Sequence, residues 1–272
     1  MMMMNGNEVA PTTTVTPARV RLFQPTQRPR LLAGQWIETA WGRARVVGRL
    51  GQRHADLLEA ILFVAERRRG DDVLELLVDP ARVRRVLSND RHSGQRIQAW
   101  LDELMGVVVE IQTPRVHVVG HLIDHVIKTR RVTRPNPLDR GKRHLWIVRL
   151  GLPLCELLRH DLPLHYDPAP IARLKYGISQ AIARHILTHR QQPAGGWMLD
   201  GLIETVAGKI SEQAMRDRRR EARADAAGLR ACGIIVGNNR VSVEHRPDGV
   251  EHRPDGVEHR PGAWSIGPAV AG

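Results

Sequence analysis

The sequence predicts an α+β chain, mostly helical, in which one succession of elements is built twice between flexible termini. Three observations predict it. Apolar residues recur at helical spacing in six segments, each set of three such segments runs into a short apolar hairpin, and both chain ends lack a sustained apolar period. With 272 residues, 42% of them hydrophobic, the chain has enough apolar surface to bury a core, which excludes wholesale disorder.

Residues 1–33, with a threonine run and Pro11, Pro17, Pro25 and Pro29, read as a flexible arm. At the other end Val-Glu-His-Arg-Pro-Asp-Gly starts at Val243, recurs at Val250 and returns truncated at Val257. A period so short and polar buries no face, so residues 244–272 read as a low-complexity tail whose His245, His252 and His259 are solvated.

The first copy of the succession opens with a helix over residues 52–66, where Leu57, Leu58, Ile61, Leu62 and Ala65 form one stripe. A strand over 73–78 leads into Asp79-Pro80, an N-cap followed by proline at the first helical position, and a helix with Val83, Val86 and Leu87 inward. Beyond Ser88-Asn89-Asp90, Ser93 caps a third helix that buries Ile97, Trp100, Leu101 and Leu104 and ends at Gly106. Residues 107–111 and 116–119 then form a hairpin around Thr113-Pro114-Arg115.

The second copy repeats that order. A helix over 177–188 carries Ile178, Ala181, Ile182 and Ile186, and a strand at Trp197-Met198-Leu199 meets a capping Asp200 and a helix with Leu202, Ile203 and Val206 inward. After the turn Gly208-Lys209-Ile210, Ser211 caps a long helix to about Leu229, and a hairpin closes the copy around Asn238-Asn239. Helix, strand, helix, turn, helix, hairpin is the winged-helix form of the helix-turn-helix, whose third helix enters the major groove. The expected architecture is therefore two tandem winged-helix domains, residues 34–127 and 144–243, joined by residues 128–143.

The most informative segment is residues 211–229. At 100° per residue, Met215, Ala222, Ala226 and Leu229 share one side, Asp217, Glu221 and Asp225 a second, and Arg216, Arg219, Arg220 and Arg223 a third. Such an arginine face neutralises phosphates and offers guanidinium forks to guanine, while the acids hold the arginines in place. A solvated, salt-bridged helix has the same composition. The capped turn before it and the hairpin after it, with Asn238, Asn239 and Arg240, favour DNA contact. In the first copy, Arg91 and Arg96 stand at the start of the third helix and Arg115 in the hairpin turn. Asp102 and Glu103 follow in that helix, which leaves DNA contact and simple packing both open. Residues 128–143 hold seven basic residues, among them Arg130, Arg131 and Arg134, against one acid. With Pro135, Pro137 and Gly141 the segment reads as an irregular linker, either following a phosphate backbone or simply solvated.

The net charge of +12 resolves by segment: +3 on residues 1–35, neutral over 36–127, +6 on 128–143, +5 on 144–243 and −2 on the tail. The basic linker and C-terminal lobe thus suit a polyanion. Of 41 basic residues 37 are arginine, a skew that GC-rich coding produces as readily as selection for phosphate contacts. Enzyme signatures are missing. No His-x-His pair accompanies Tyr166 or Tyr176 to make a DNA-nicking site, Gly208-Lys209 is followed by Ile210 rather than the Ser or Thr of a phosphate loop, and no Gly-x-Ser-x-Gly occurs. His117, His121 and His125 recur every four residues, but without a cysteine or carboxylate set they are assigned to a hairpin and its exit, so no catalysis, metal or cofactor is expected. Every apolar stretch is interrupted by charge before the ~18 residues of a membrane span. Cys155 and Cys232 make no disulfide framework and no leader is evident, so the expected location is cytoplasmic.

The tandem order, the helix over 176–189, the elements over 197–206, and Met215-Arg-Asp-Arg-Arg-Arg-Glu-Ala-Arg223 leading to Leu229-Arg-Ala-Cys-Gly-Ile234 resemble plasmid replication initiator proteins. The nearest likeness is to RepC-type initiators of broad-host-range plasmids, whose architecture iteron-plasmid initiators share. The resemblance covers about residues 34–244. It implies a non-enzymatic initiator that binds direct repeats (iterons) in double-stranded origin DNA, promotes local melting and recruits host or plasmid helicase and primase. It also implies pairing of two copies through the first lobe, a groove-reading role for residues 211–229 and a wing role for residues 238–240. A transcriptional repressor with the same DNA-binding parts is the alternative.

Overall fold

The computed structural model describes residues 11–69, 74–87, 92–135 and 142–244. The predicted mostly helical pair of winged helices is overturned: among the described residues helix and strand both contribute heavily, and the strands form four sheets. The first lobe departs furthest. Strands β2 (Leu32–Thr39) and β3 (Gly42–Gly48) follow the short strand β1 (Thr13–Thr14) and helix α1 (Val15–Arg19). Helix α2 (Gln52–Val64) is followed by β4 (Glu66–Arg69), β5 (Leu74–Val78), α3 (Pro80–Val86) and α4 (Gly94–Gly106), and then by β6 (Val108–Gln112), β7 (His117–His121), β8 (Ile123–Pro135), β9 (Lys142–Leu150) and α5 (Leu152–His160).

Two antiparallel four-stranded sheets, ordered β2-β3-β6-β7 and β4-β5-β9-β8, enclose α2 and α4 around one core. The hairpin β6–β7 is thus the edge of a larger sheet, because β3 pairs along the other side of β6. The apolar half of β3 is only Ala44 and Val46, alternating with Arg43, Arg45 and half-exposed Val47, so its period of two is diluted by charge. On the outer face Arg43 and Arg45 stack over Trp36, and Arg45 also pairs with Glu110.

Residues 128–143 are not an irregular linker at their described positions. They end β8 and begin β9, with Thr133, Arg134 and Pro135 paired to His144, Arg143 and Lys142, while residues 136–141 lie outside the described ones. Nor does the second lobe begin at 144: Val148 and Leu150 of β9 and Leu154, Cys155 and Leu157 of α5 pack in the first core, because β9 pairs with β5. The N-terminal arm is ordered from Pro11. Strand β1 pairs with β10 (Pro163–Leu164), Val15 joins the second core, and Val20 and Leu22 join the first. The tail residues 245–272 lie outside the described ones.

The second core is built from α6 (Ala169–Ala172), α7 (Gly177–Leu187), β11 (Trp197–Met198), α8 (Leu199–Ala207), α9 (Glu212–Ala224), α10 (Ala226–Ala231), β12 (Ile234–Val236) and β13 (Arg240–Val243). Strand β11 adds to the hairpin in the order β11-β13-β12. The long helix expected over 211–229 breaks at Asp225, whose buried carboxylate accepts the Lys175 and Tyr176 N–H groups at the start of α7. Asp200 falls inside the first turn of α8 rather than capping it, since the helix begins at Leu199.

The lobes meet through α2 and α7. Arg184 is buried and fully engaged: Nε and Nη2 donate to the two Glu59 oxygens at 2.8 Å, Nη2 also to Asp56 Oδ1 at 2.6 Å, and Nη1 to Gln52 Oε1 at 2.7 Å. Gln180 donates to Asp56 Oδ2 at 2.9 Å. Burial raises the Asp56 carboxyl, and the two carboxylates hold the Arg184 guanidinium well above its usual value against burial. Close approach is enforced where α7 begins, because a Cβ on Gly177 would stand 2.5 Å from Thr26 Cα.

Two buried histidines make stability pH-dependent. His54 Nδ1 accepts the Gly51 N–H at 3.0 Å and Nε2 faces Glu103 Oε2 at 2.7 Å, an arrangement that suits the neutral ring protonated at Nε2. Burial lowers His54 from 6.5 to about 4 and His185 to about 3. Both folded values lie below the unfolded one, so their contribution is complete above pH 6.5 and is lost as pH falls toward these values. We expect the urea midpoint to start dropping between pH 6.5 and 5, before most carboxylates titrate; a flat midpoint there would contradict the assignment.

Candidate nucleic-acid interface

Helix α9 is short of apolar residues, and only Met215 and Ala222 of its residues are buried. Ser211 is the expected N-cap, its Oγ accepting the Ala214 N–H at 3.2 Å. This seats the helix against α8 and α7, and leaves Gln213, Arg216, Arg220 and Arg223 exposed along one stripe at i, i+3, i+7 and i+10.

Each predicted arginine of the helix has a partner, and the partners differ in kind. Arg216 pairs with Glu212 and Arg220 with Asp217 at 2.9 Å, both on the helix surface, with the arginine side chains 63% and 79% exposed. Exposed ion pairs are worth about 0–1 kcal/mol, so either guanidinium can exchange its carboxylate for a phosphate. Arg219 differs: Nε and Nη2 fork onto the two Asp200 oxygens at 2.6 and 2.7 Å, joining α9 to α8. The fork lowers the Asp200 carboxyl and raises Arg219. Arg219 is thereby a positioning residue. If this face takes up duplex DNA, Arg219→Ala and Asp200→Ala should weaken that binding in parallel in a gel shift; stronger binding by Asp200→Ala would instead make Arg219 a phosphate contact.

The hairpin is tied to the helix. Arg223 Nη2 donates to the Asn238 carbonyl oxygen, and Arg240 Nη1 to Gly195 O at 2.7 Å in the loop before β11. Gly195 has φ +74, and a Cβ there would lie 2.8 Å from Arg240 Nη1. Asn238, Asn239 and Arg240 are all exposed, so the turn and the arginine stripe form one continuous basic surface joined at Arg223.

The other predicted contacts are on different elements. Arg91 lies outside the described residues; Arg96 is exposed in the first turn of α4 and Arg115 in the β6–β7 turn. Of the acids of α4, Glu103 accepts from Arg53 and His54 of α2, whereas Asp102 is exposed and accepts from Gln98 Nε2 of its own helix. Arg130, Arg131 and Arg134 belong to β8, and their side chains lie outside what is described. His117 pairs with Glu110, His121 Nδ1 meets Val107 O at 3.0 Å, and His125 lies on β8. Among the described residues no three His, Cys, Asp or Glu side chains are grouped to hold a metal, and no helix is long and apolar enough to cross a membrane. Sequence reasoning missed Asp200 as the Arg219 partner, because nothing local links residues 19 apart, and missed Gln213, whose helical spacing with Arg216 and Arg220 was available.

No protein-family model matches the chain, and no curated protein matches it. Solved structures do. A crystal structure of domains 2 and 3 of RctB aligns over 87% of this chain and 96% of its own, at a TM-score of 0.52 and 13% identity. A second structure of RctB domains 2–3 aligns over 76% of this chain and 82% of its own, with a TM-score of 0.41 and 10% identity. The fold is thus one seen in RctB domains 2 and 3.

Proposed function

We propose that the protein is a non-enzymatic replication initiator that binds directly repeated sites in double-stranded origin DNA of a plasmid, promotes melting beside them and recruits helicase and primase. The single observation that carries this reading is the exposed stripe of Gln213, Arg216, Arg220 and Arg223, continued by the Asn238–Arg240 turn. Arginine forks and a glutamine on one helix face suit guanine and adenine edges, and surface ion pairs keep the guanidinium groups oriented until phosphate replaces the acids. The likeness of the fold to domains 2 and 3 of RctB, a replication initiator, supports the same reading. Pairing with a second copy falls to the first lobe, whose outer sheet face exposes Val47 and Val119.

The test is a gel shift on duplex DNA across a salt series. A log–log slope of about −0.9 per phosphate contact is expected, and binding indifferent to salt would instead make the surface a protein-docking face. Footprints separate initiator from repressor: protection of direct repeats beside an AT-rich stretch fits the first, and a single palindrome over a promoter the second.

A further inference from the structure

The β8–β9 hairpin outruns its sheet. Strand β5 accompanies β9 only from Arg149 to Trp146, where Trp146 pairs with Val78, whereas β8 goes on pairing with β9 as far as Pro135 and Lys142. Among the described residues, 128–135 and 142–145 therefore form a two-stranded ribbon, interrupted by a register shift in β8 between Lys128 and Thr133, with no third strand beside it.

Composition separates this ribbon from α9. Its twelve residues include Lys128, Arg130, Arg131, Arg134, Lys142 and Arg143, six basic residues with no acid among them. On α9 almost every arginine has an acid a turn away; within the ribbon's twelve residues the sequence places none. Lys128, Pro135, Lys142 and His144 are exposed. Strand β9 is anchored opposite Arg134, where Arg143 Nη1 lies 3.4 Å from Asp79 Oδ2, the same carboxylate whose Oδ1 caps α3 by accepting the Ala81 N–H. A rooted ribbon that carries such charge costs stability by self-repulsion, and an anionic partner relieves it.

We propose that the β8–β9 ribbon is a second double-stranded DNA contact, an arm that lies in a groove apart from the α9 surface. The major groove, roughly 12 Å wide, admits a two-stranded β-ribbon as it admits a helix. With Arg143 engaged by Asp79, the other five cations in these twelve residues supply the phosphate neutralisation that holds such an arm in place. The inference rests on the reading of the protein as a duplex-DNA binder, but on different residues from those that carry that reading.

The chain has only four lysines, Lys128, Lys142, Lys175 and Lys209, and this makes a footprint on the native protein simple. Lys128 and Lys142 report the ribbon, Lys209 the turn before α9, and exposed Lys175 stands on neither. The full chain is acetylated at low salt with and without a mixed-sequence duplex, and modification is read by mass spectrometry. Several-fold protection of Lys128 and Lys142 relative to Lys175 is expected. Unchanged Lys128 and Lys142 overturn the arm, whatever Lys209 does; protected Lys128 and Lys142 with unchanged Lys209 keep the arm and remove the α9 reading instead. A variant adds a second readout: Arg130→Ala with Arg131→Ala and Arg134→Ala should flatten the salt slope by up to about 2.7, at about 0.9 per contact. An unchanged slope with increased self-association would show that these charges only keep an edge strand from pairing.

Discussion

On the proposed DNA-binding reading, Arg220→Ala together with Arg223→Ala is expected to remove most double-stranded DNA binding and to leave the chain folded. Both side chains are exposed, and neither contributes to the second core. The structural losses are an Arg220–Asp217 surface pair and one hydrogen bond from Arg223 to the Asn238 carbonyl. A surface pair is worth about 0–1 kcal/mol and a hydrogen bond about 0.5–1.5 kcal/mol, both small against the stability of a typical domain. In a DNA complex each arginine contact is worth about 1–3 kcal/mol, so the double variant should bind on the order of 100-fold or more weakly. Its salt slope should fall by about 1.8 if both side chains meet phosphates, at about 0.9 each. Wild-type affinity in a folded double variant would remove α9 from the interface.

The largest loss of stability is expected at Arg184. Arg184→Leu strands Asp56 and Glu59 in the α2–α7 interface without a cation and leaves Gln52 Oε1 without its donor. Breaking a buried ion pair by removing one partner costs about 3–5 kcal/mol, because the remaining charge is neither solvated nor paired. The loss should depend on pH with a definite sign. Burial already raises the Asp56 carboxyl with Arg184 present, and without the guanidinium it rises further. A carboxyl whose folded value exceeds its unfolded value contributes stability that is present at low pH and lost as pH rises through the folded value. The difference between variant and wild type should therefore shrink as pH falls from 7 toward 5. Equal urea midpoints at pH 7 would show that the network is not what holds the lobes together.

The parts of this fold written in local chemistry were legible. Asp79, Ser93 and Ser211 each accept a backbone N–H two or three residues on, as short polar side chains at helix starts do. The stripes of α2, α4 and α7 are apolar enough to stand out at a period of 3.6. The strands were harder, since a half-buried strand shows only every second residue to the core. In β3 and at the start of β9 the intervening positions hold arginine, lysine and histidine, so residues 42–48 gave no strand signal and residues 128–143 read as an irregular linker. Pro135 strengthened that reading, although proline is tolerated at the end of an edge strand such as β8. Long-range polar pairing was beyond reach for another reason. Arg184 and Glu59 lie 125 residues apart, Asp225 turns from its own helix to the start of α7, and Asp200 answers Arg219 across two helices. None of these leaves a mark in local spacing. The arginine face of residues 211–223 was visible, but its division into two exchangeable side chains, one fork onto α8 and one tie to the hairpin needed coordinates.

On the proposed reading, this chain recognises repeated duplex sites through the α9 stripe and its adjoining turn. Footprinting the full chain on the DNA of its own replicon tests it most directly. Protected blocks are expected to recur in direct orientation about two helical turns apart, roughly 21 base pairs, next to an AT-rich segment, and all to be lost in the Arg220→Ala, Arg223→Ala variant. A single palindromic footprint over a promoter, or protection that survives in that variant, would contradict it.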